Sequence, residues 1–521
     1  MKGTYSNLGR RSRLRGFCSA IAAIALGIVC AGAIIESEGT AAASPASTYG
    51  RWSAPRYLCA PDHACAVGGA AAMLPGGTYP AGTILFWFWK GANTHGVSSV
   101  AVLLQPNGTV TDATVSFPVE VFCSGPSLMA NGQLFLTGGL EADTASPIAG
   151  PYWTAIFNPF SPLSSAWSWG PNMNYARYYP STMELADGTE LEFSGDDRNG
   201  TPVPQLESYN FTTNAWTELP ASANLRGPQL HVSAYPRLVL LPSGNVFLAS
   251  PDAKTYQFNP ATKAWSFVAN TNYGTRYAAG HVLLPGLQKV LVAGGGSIGG
   301  PSGGPSTNTA EMIDFSKPSP AWSYVSPMTY ARLNDNLVLL ADGTVLAIGG
   351  GGGLGLYSHP VLSTELFNPA TGSWNVMAPL GAPRMYHSTA MLLPNGTVLS
   401  AGSSDTSGTE YSYEIYSPPY LNAGPQPVIT TAPKSLTYGQ AFNIVTPNAA
   451  SISRVALIRL PVTTHADMSD QRYVDLAFTT GSGQLNATAP PSGNYAPPGY
   501  YMLVIVNSSG VPSVMPFLML S

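Results

Sequence analysis

The chain has 521 residues, more than one ordinary hydrophobic core requires, and only 10% of them are charged. Glycine (55) and proline (46) are abundant, which is typical of many short strands and tight turns rather than of long helices. The formal net charge of −4 argues against the basic surface that binds nucleic acid or anionic membranes. We therefore expect a protein rich in β-strands that binds no nucleic acid.

Residues 1–43 have a different composition from the rest. An apolar run spans residues 17–35, small residues occupy positions 40–43, and the basic residues before the run are Arg10, Arg11, Arg13 and Arg15. This order predicts an export signal that is removed, with the mature protein secreted or periplasmic and not inserted in a membrane. The alternative is a retained membrane anchor, because the apolar run is long.

Three cysteines remain once the signal is removed. Cys59 and Cys65 are separated by five residues and are expected to form a disulfide in an oxidising compartment. Cys123 is left without a partner. An unpaired cysteine in an exported protein is either buried and inert or present for its chemistry.

A strand–turn–strand pattern is clearest in residues 382–402. Tyr386 and His387 stand directly before an apolar run, and an Asn395-Gly396 pair separates that run from a second one. Asn-Gly between two apolar runs predicts a hairpin with a type I′ turn, in which both central residues have positive φ. A phenol and an imidazole are therefore expected at the entrance of a strand.

The same hairpin recurs along the chain. An aromatic residue and then a tryptophan follow most copies, a degenerate first copy begins at Met73, and the turn glycines are residues 132, 188, 244, 286, 343 and 396. Each repeat holds about four strands, too few to bury both of its faces alone, so the repeats must stack. We predict an all-β fold in which residues 44–415 form a seven-bladed kelch-type β-propeller, with the tryptophans packed between blades.

The pattern ends at residues 416–423, which we interpret as a linker. Short alternating strands without tryptophan follow, at residues 441–445, 455–460, 501–506 and 518–520. These strands predict that residues 424–521 form a small immunoglobulin-like β-sandwich.

The repeat register brings reactive residue types together. The residues nine positions before the turn glycines are Cys123, Tyr179, Tyr235, Tyr277, Asn334 and His387. Equivalent positions of propeller repeats lie at one height around the axis, so these side chains should converge at one end of the central channel. The alternative is that periodicity merely repeats a common residue type, since the chain has 26 tyrosines.

Phenolate and imidazole groups suit Cu(II), which prefers tetragonal nitrogen and oxygen ligands. Tyr179, Tyr386 and His387 would supply three ligands for one copper ion. His465, in a loop after the strand at residues 455–460, would supply a further nitrogen from the sandwich. The alternative for His465 is an ordinary solvated loop histidine.

Four separated segments resemble the galactose oxidase/glyoxal oxidase family of copper-radical oxidases. They are VFCSGPSLMANGQLFLTGG around Cys123, ARYYPSTMELADG around Tyr179, PRMYHSTAMLLPNG around Tyr386 and His387, and LPVTTHADMSDQR around His465. The RYYP sequence is closer to the glyoxal oxidase branch. The resemblance implies a seven-bladed propeller followed by a galactose-oxidase-like early-set domain.

The resemblance also implies a site. Copper would be bound by Tyr179, Tyr386, His387 and His465, and a thioether would join Cys123 to a ring carbon of Tyr179. The cross-linked Cys123–Tyr179 pair would be a built-in radical cofactor, and Tyr386 would accept the substrate proton. Galactose oxidase stacks a tryptophan on the modified tyrosine, and the matching segment here, residues 194–198, has no tryptophan.

The expected function is an exported, monomeric oxidase. It would oxidise a primary alcohol, a small aldehyde or a carbohydrate with O2, giving the aldehyde or acid and H2O2. The alternative is a non-catalytic kelch propeller that serves in carbohydrate binding or adhesion.

Overall fold

The structure is a computed structural model that describes residues 46–61, 65–89, 99–114, 120–140, 150–225, 235–297, 304–353, 358–405, 408–468 and 470–521. The expected export signal at residues 1–43 lies outside these ranges. Within them, no helix is long and apolar enough to cross a membrane. Helical segments are short: α1 (Ala46–Tyr49) and 3₁₀ turns at Leu163–Ser165, Ala221–Ala223, Pro419–Asn422 and Ala449–Ser451.

Most of the chain folds into antiparallel sheets of about four strands, as the repeats predict. The strands of the first half are β1 (Arg51–Trp52), β2 (Arg56–Tyr57), β3 (Ala70–Met73), β4 (Ile84–Trp89), β5 (Ser99–Leu104), β6 (Val110–Asp112), β7 (Gly125–Leu128), β8 (Leu134–Thr137), β9 (Thr154–Phe157), β10 (Trp167–Trp169), β11 (Ser181–Glu184), β12 (Glu190–Phe193), β13 (Glu207–Asn210) and β14 (Ala215–Glu218).

The later repeats continue in the same order. Their strands are β15 (Arg237–Leu240), β16 (Val246–Ser250), β17 (Lys254–Asn259), β18 (Ala264–Asn270), β19 (Gly280–Leu283), β20 (Lys289–Ala293), β21 (Ala310–Asp314), β22 (Trp322–Val325), β23 (Asn336–Leu339), β24 (Val345–Ile348), β25 (Ser363–Asn368), β26 (Ser373–Pro379), β27 (Ser388–Leu392), β28 (Val398–Gly402), β29 (Ser404–Asp405), β30 (Gly408–Thr409) and β31 (Ser412–Ser417).

Seven sheets form a ring and are called blades 1 to 7. Blades 1 to 6 begin at β3, β7, β11, β15, β19 and β23, and blade 7 contains β27, β28 and β31. The first strands of blades 2 to 7 contact one another in order around the channel, and β27 of blade 7 contacts β3 of blade 1. The N-terminal strands β1 and β2 pair with β31, so the two ends of the propeller close the ring within one sheet. The predicted seven-bladed propeller is confirmed.

The tryptophans lie between blades, as predicted. The indole of Trp167 in blade 2 donates to the carbonyl of Ala113 beyond blade 1, and Trp265 in blade 4 donates to the carbonyl of Ala223 after blade 3. These two indoles therefore pack their apolar rings between sheets and satisfy their N–H groups on the preceding repeat.

The predicted type I′ turn at Asn395-Gly396 is wrong. Gly396 has a φ of 84°, whereas Asn395 is not left-handed. The Gly396 amide donates to the carbonyl of Leu393 (2.9 Å), and the Leu393 amide donates to the carbonyl of Thr397 (2.8 Å). This is a type I turn followed by a left-handed glycine, and Pro394 favours it because its ring fixes φ near that of the first central residue.

A second domain follows the propeller. Its strands are β32 (Ser435–Leu436), β33 (Ala441–Val445), β34 (Ile452–Arg459), β35 (Val462–Thr464), β36 (Tyr473–Asp475), β37 (Phe478–Gly481), β38 (Gln484–Thr488), β39 (Gly499–Asn507) and β40 (Phe517–Leu520). Two sheets, in the orders β32-β40-β39-β34-β36 and β33-β38-β37, form the predicted sandwich.

The sandwich sends one strand into the propeller. β35 pairs antiparallel with β3, so that Thr464 lies opposite Ala70, and β35 also contacts β7 and β27. It therefore lines the channel inside the innermost strand of blade 1. Arg459, at the end of the strand before it, forms a buried ion pair with Glu184 of blade 3. These contacts deliver His465, the residue after β35, to the propeller axis.

Candidate metal centre

A ring of left-handed residues marks one end of the channel. Six positions, one from each of blades 2 to 7, have φ between 53° and 65°: Cys123, Tyr179, Tyr235, Ala278, Asn334 and His387. Backbone hydrogen bonds join consecutive members, from the Tyr179 amide to the Cys123 carbonyl (3.2 Å) and from the Tyr235 amide to the Tyr179 carbonyl (3.0 Å). The repeat register therefore places these residues at one height, as the sequence predicts.

One member of the predicted ring is wrong. Ala278, not Tyr277, is the left-handed residue before β19. The turn after β19 is one residue longer: the Leu284 amide donates to the Lys289 carbonyl, and Leu287 rather than Gly286 donates to Leu284. Counting nine positions back from Leu287 gives Ala278.

Buried ion pairs hold the segments that carry the ring. In blades 3, 5, 6 and 7 an arginine two or three positions before the ring residue pairs with a glutamate of the same blade; the pairs are Arg177–Glu207, Arg276–Glu311, Arg332–Glu365 and Arg384–Glu414. The distances lie between 2.7 and 2.9 Å and every side chain is at most 2% exposed. Such charges are tolerated because each is paired and hydrogen-bonded.

The structure brings together all five residues that the sequence singles out. The hydroxyl groups of Tyr179 and Tyr386 are in hydrogen-bond contact. The ring centroids of His387 and His465 lie 4.7 Å apart at an interplanar angle of 87°. The thiol of Cys123 lies 3.8 Å from Nε2 of His465. Residues from blades 2, 3 and 7 and from the sandwich thus form one cluster.

Each imidazole is oriented through Nδ1. His387 Nδ1 lies 2.7 Å from the hydroxyl of Ser404, and His465 Nδ1 lies 2.7 Å from the hydroxyl of Thr464. The other nitrogen of His387, Nε2, is buried without a hydrogen-bond partner among the described residues. A buried polar atom without a partner is rare in proteins, and metal-binding histidines typically use one nitrogen for the metal and the other for an orienting hydrogen bond.

Burial keeps both imidazoles neutral. Desolvation lowers the pKa of His387 to about 3, and desolvation together with the nearby His387 and Arg237 lowers the pKa of His465 well below its usual range. Desolvation and the neighbouring Cys123 raise the pKa of Tyr179 well above 10. Neutral imidazole is the form that binds a metal, whereas the tyrosine would lose its proton on binding.

Aromatic rings enclose the cluster. Phe122 stacks on His465 (5.3 Å between centroids, 28°) and meets His387 edge-on (5.0 Å, 71°). Tyr179 and His387 are only half-buried, whereas Tyr386, His465 and Cys123 are at most 8% exposed. The site therefore has an apolar floor, and Tyr179 and His387 are the most exposed of its five residues.

The sequence did not identify the ring that covers Tyr179. Tyr178 stacks on it, with centroids 4.1 Å apart and an interplanar angle of 29°. Tyr178 can stack on Tyr179 because the left-handed backbone at Tyr179 turns the two consecutive side chains to the same side. A tyrosine pair directly before a turn-bearing strand is visible in the sequence, but its stacking depends on that backbone conformation.

The donor set fits a copper ion. Two neutral imidazoles and two phenols converge, and one imidazole nitrogen has no hydrogen-bond partner within the described part of the chain. These ligand types match Cu(II) in a tetragonal site. Tyr179, Tyr386, His387 and His465 are the residues that would hold it.

Comparisons with known proteins agree on one family. The family described as "Glyoxal oxidase N-terminus" matches residues 98–420, and "Galactose oxidase-like, Early set domain" matches residues 426–520. A galactose oxidase of Gibberella zeae is 30% identical over 85% of this chain and 68% of its own length. The "Aldehyde oxidase GLOX" of Vitis pseudoreticulata is 28% identical over 76% of this chain and 81% of its own.

The solved structures give the same result. A fungal alcohol oxidase of the AA5 family, in complex with copper, superposes with a TM-score of 0.79 at 26% identity, covering 91% of this chain and 100% of that one. With the family matching most of the chain and the fold matching a whole solved enzyme, this protein belongs to the galactose oxidase/glyoxal oxidase family of copper-radical oxidases.

Proposed function

We propose that the protein is an exported oxidase that converts a primary alcohol or a small aldehyde to the aldehyde or acid and reduces O2 to H2O2. The convergence of Tyr179, Tyr386, His387 and His465 beside the thiol of Cys123 is the observation that carries this proposal. Relatives named galactose oxidase, aldehyde oxidase and alcohol oxidase support the substrate class.

The reaction removes two electrons and two protons from an alcohol, or from an aldehyde to which water has added, and O2 accepts both to become H2O2. Copper, when bound at this site, would supply one redox equivalent and polarise the substrate oxygen. A side chain of the protein must therefore supply the second redox equivalent. Tyr179 is the residue proposed for this role, because its phenol is a candidate ligand and its ring contacts the rings of Tyr178 and Tyr235.

We further propose a thioether between Cys123 and Tyr179. The bond from Sγ to a ring carbon replaces the S–H and C–H bonds, releasing two protons and two electrons, which O2 takes up as H2O2. Cys123 is 2% exposed, and burial raises the pKa of its thiol far above the usual range. The thiol is thus protected from ordinary thiolate chemistry, and it lies in the buried cluster against which Tyr178 and Tyr179 pack, which supports Tyr179 as its partner.

Tyr386 is the proposed proton acceptor. Its hydroxyl contacts that of Tyr179, and its ring packs 3.7 Å from the ring of His387. A substrate oxygen bound beside the Tyr386 hydroxyl would lie within hydrogen-bond reach of it, as general-base catalysis requires. Phe122 and Phe88 both meet the His387 ring edge-on and add apolar surface beside it.

Export is part of the proposal. The disulfide between Cys59 and Cys65 supports it, because disulfides persist in oxidising compartments outside the cytoplasm.

The test is a panel of primary alcohols, small aldehydes and sugars with the copper-loaded protein, using H2O2 formation as the readout. We expect peroxide from at least one class, and none from Tyr386→Phe, which keeps the ring but cannot accept the proton. If the copper-loaded wild type forms no peroxide with any class, the proposed oxidase function is wrong and a binding role becomes the better interpretation.

A further inference from the structure

His465 is held by a turn that its sequence does not favour. The amides of Thr464 and Asp467 each donate to the carbonyl of the other (3.0 and 2.6 Å), and the two central residues, His465 and Ala466, have φ of 48° and 59°. This is a type I′ turn, which proteins usually build with asparagine and glycine. Side chains with a Cβ keep the left-handed conformation only where surrounding contacts enforce it.

Arg237, the first residue of β15, makes contacts of that kind. Its Nη2 donates to the carbonyl of His465 (3.5 Å), and its Nη1 lies 3.6 Å from Oδ1 of Asp467. Its Nε donates to the carbonyl of Ala279 at the start of blade 5 (3.2 Å). One planar guanidinium therefore ties the histidine and the end of its turn to two blades.

The contact between Arg237 and Asp467 is a buried one. Arg237 is 4% exposed and Asp467 is 6% exposed. His281 also approaches Oδ1 of Asp467 (3.8 Å), but burial lowers its pKa to about 3, so it is a neutral neighbour. Asp335 is a second buried acid near Arg237, and burial raises its pKa to about 7. Arg237 is thus a buried cation beside Asp467, and removing it removes this ion pair.

The result of these contacts is a defined direction for the imidazole. Thr464 Oγ1 hydrogen-bonds to Nδ1, and Nε2 lies 3.8 Å from the thiol of Cys123. The imidazole ring lies 4.7 Å from that of His387. A flexible turn at this point would leave Nε2 free to move away from the other three candidate ligands.

We propose that Arg237 is a positioning residue that holds the His465 turn in its left-handed conformation and so sets the geometry of the metal centre before copper binds. The role rests on the proposed function, because it requires that His465 binds copper. Arg237 itself touches neither substrate nor metal in this proposal.

The test compares Cu(II) binding and the Cu(II) electron paramagnetic resonance (EPR) spectrum of the full chain and its variants. Arg237→Gln removes the charge, and Arg237→Lys keeps the charge but not the planar fork. We expect Arg237→Gln to weaken Cu(II) binding by about 10- to 100-fold, as loss of an outer-shell partner does, and to alter the EPR parameters. Arg237→Lys should be intermediate.

Arg276→Gln is the matched control. Arg276 is a buried arginine of the adjacent blade, but it pairs with Glu311 (2.7 Å) instead of with the turn. It should lower the melting temperature, and it should change Cu(II) affinity and the EPR spectrum less than Arg237→Gln does. Adding Ala466→Gly to Arg237→Gln should restore part of the affinity, because glycine adopts the left-handed conformation without strain.

Wild-type affinity and an unchanged EPR spectrum in Arg237→Gln would overturn the proposal. If that variant fails to fold, Asp467→Asn removes the same ion pair at constant size and must show the same weakening; unchanged binding there overturns it equally. His465→Ala distinguishes the proposed metal centre from the role of Arg237. Unchanged Cu(II) binding in His465→Ala refutes the metal centre. Weakened Cu(II) binding in His465→Ala together with normal binding in the Arg237 variants refutes only the role of Arg237.

Discussion

The hydroxyl groups of Tyr179 and Tyr386 are in contact, although 207 positions separate the two residues in the chain. They reach each other from blades 3 and 7 because each lies at or beside a left-handed ring position. The same backbone conformation stacks consecutive side chains, Tyr178 on Tyr179 (4.1 Å) and Tyr386 on His387 (3.7 Å). In a regular strand such neighbours would point to opposite faces.

His465→Ala should remove most of the stabilisation that Cu(II) gives to the folded chain. A ligand that binds only the folded state stabilises it by about 2.7 kcal/mol at a concentration 100-fold above its Kd. We expect wild type to show a corresponding rise in melting temperature with Cu(II), and His465→Ala to lose most of it. His359→Ala, a change at an exposed histidine, is the control. An equal rise in His465→Ala would remove this residue from the ligand set.

Cys123→Ser should separate metal binding from turnover. Serine keeps the size of the side chain and leaves the four candidate ligands in place, so Cu(II) affinity should stay close to that of wild type. Oxidase turnover should fall by more than about tenfold, an increase of more than about 1.4 kcal/mol in activation free energy. Copper titration and peroxide assays on the same sample measure both. Full turnover in this variant would refute the cross-link.

The Tyr178 ring should matter more than its hydroxyl. Tyr178→Phe keeps the stack on Tyr179, whereas Tyr178→Leu removes a ring contact of the kind that contributes about 0.5–1.5 kcal/mol. We expect the oxidised form of the copper-loaded protein, followed by its absorption, to decay faster in Tyr178→Leu than in wild type or Tyr178→Phe. Equal decay in all three would mean that the stack does not protect Tyr179.

The Cys59–Cys65 disulfide should stabilise the chain without affecting chemistry. It closes a short loop near the N-terminal strands β1 and β2, which complete blade 7. Cys59→Ser combined with Cys65→Ser should lower the free energy of unfolding by roughly 2–3 kcal/mol, as loss of a short-loop disulfide does. Urea unfolding of the two proteins measures the difference, and Cu(II) affinity should be equal in both. A stability equal to that of wild type would contradict this expectation.

Much of the fold could be predicted from the sequence because its repeats are regular. The spacing between strand entrance and turn places Cys123, Tyr179 and His387 in one ring, and β-propeller geometry then brings them together. The prediction was wrong at Tyr277, where a longer turn shifts the register by one position. It was also wrong about the Asn395-Gly396 turn, where Pro394 favours a type I turn.

The contacts missed by sequence reasoning are those made across large distances in the chain. Arg237 and Asp467 are 230 positions apart by their residue numbers, and no local pattern joins them. Tyr178 stands beside Tyr179, but its stacking depends on a positive φ that tyrosine rarely adopts. The pairing of β35 with β3, which delivers His465 to the channel, likewise depends on how the sandwich docks.

The most direct test of the account is a peptide map of the protein after exposure to Cu(II) and O2. We predict that the peptides containing Cys123 and Tyr179 are recovered as one covalently joined species, resistant to reducing agents and lighter than their sum by two hydrogen atoms. A free, alkylatable Cys123 and an unmodified Tyr179 in fully copper-loaded protein would contradict the proposed radical cofactor.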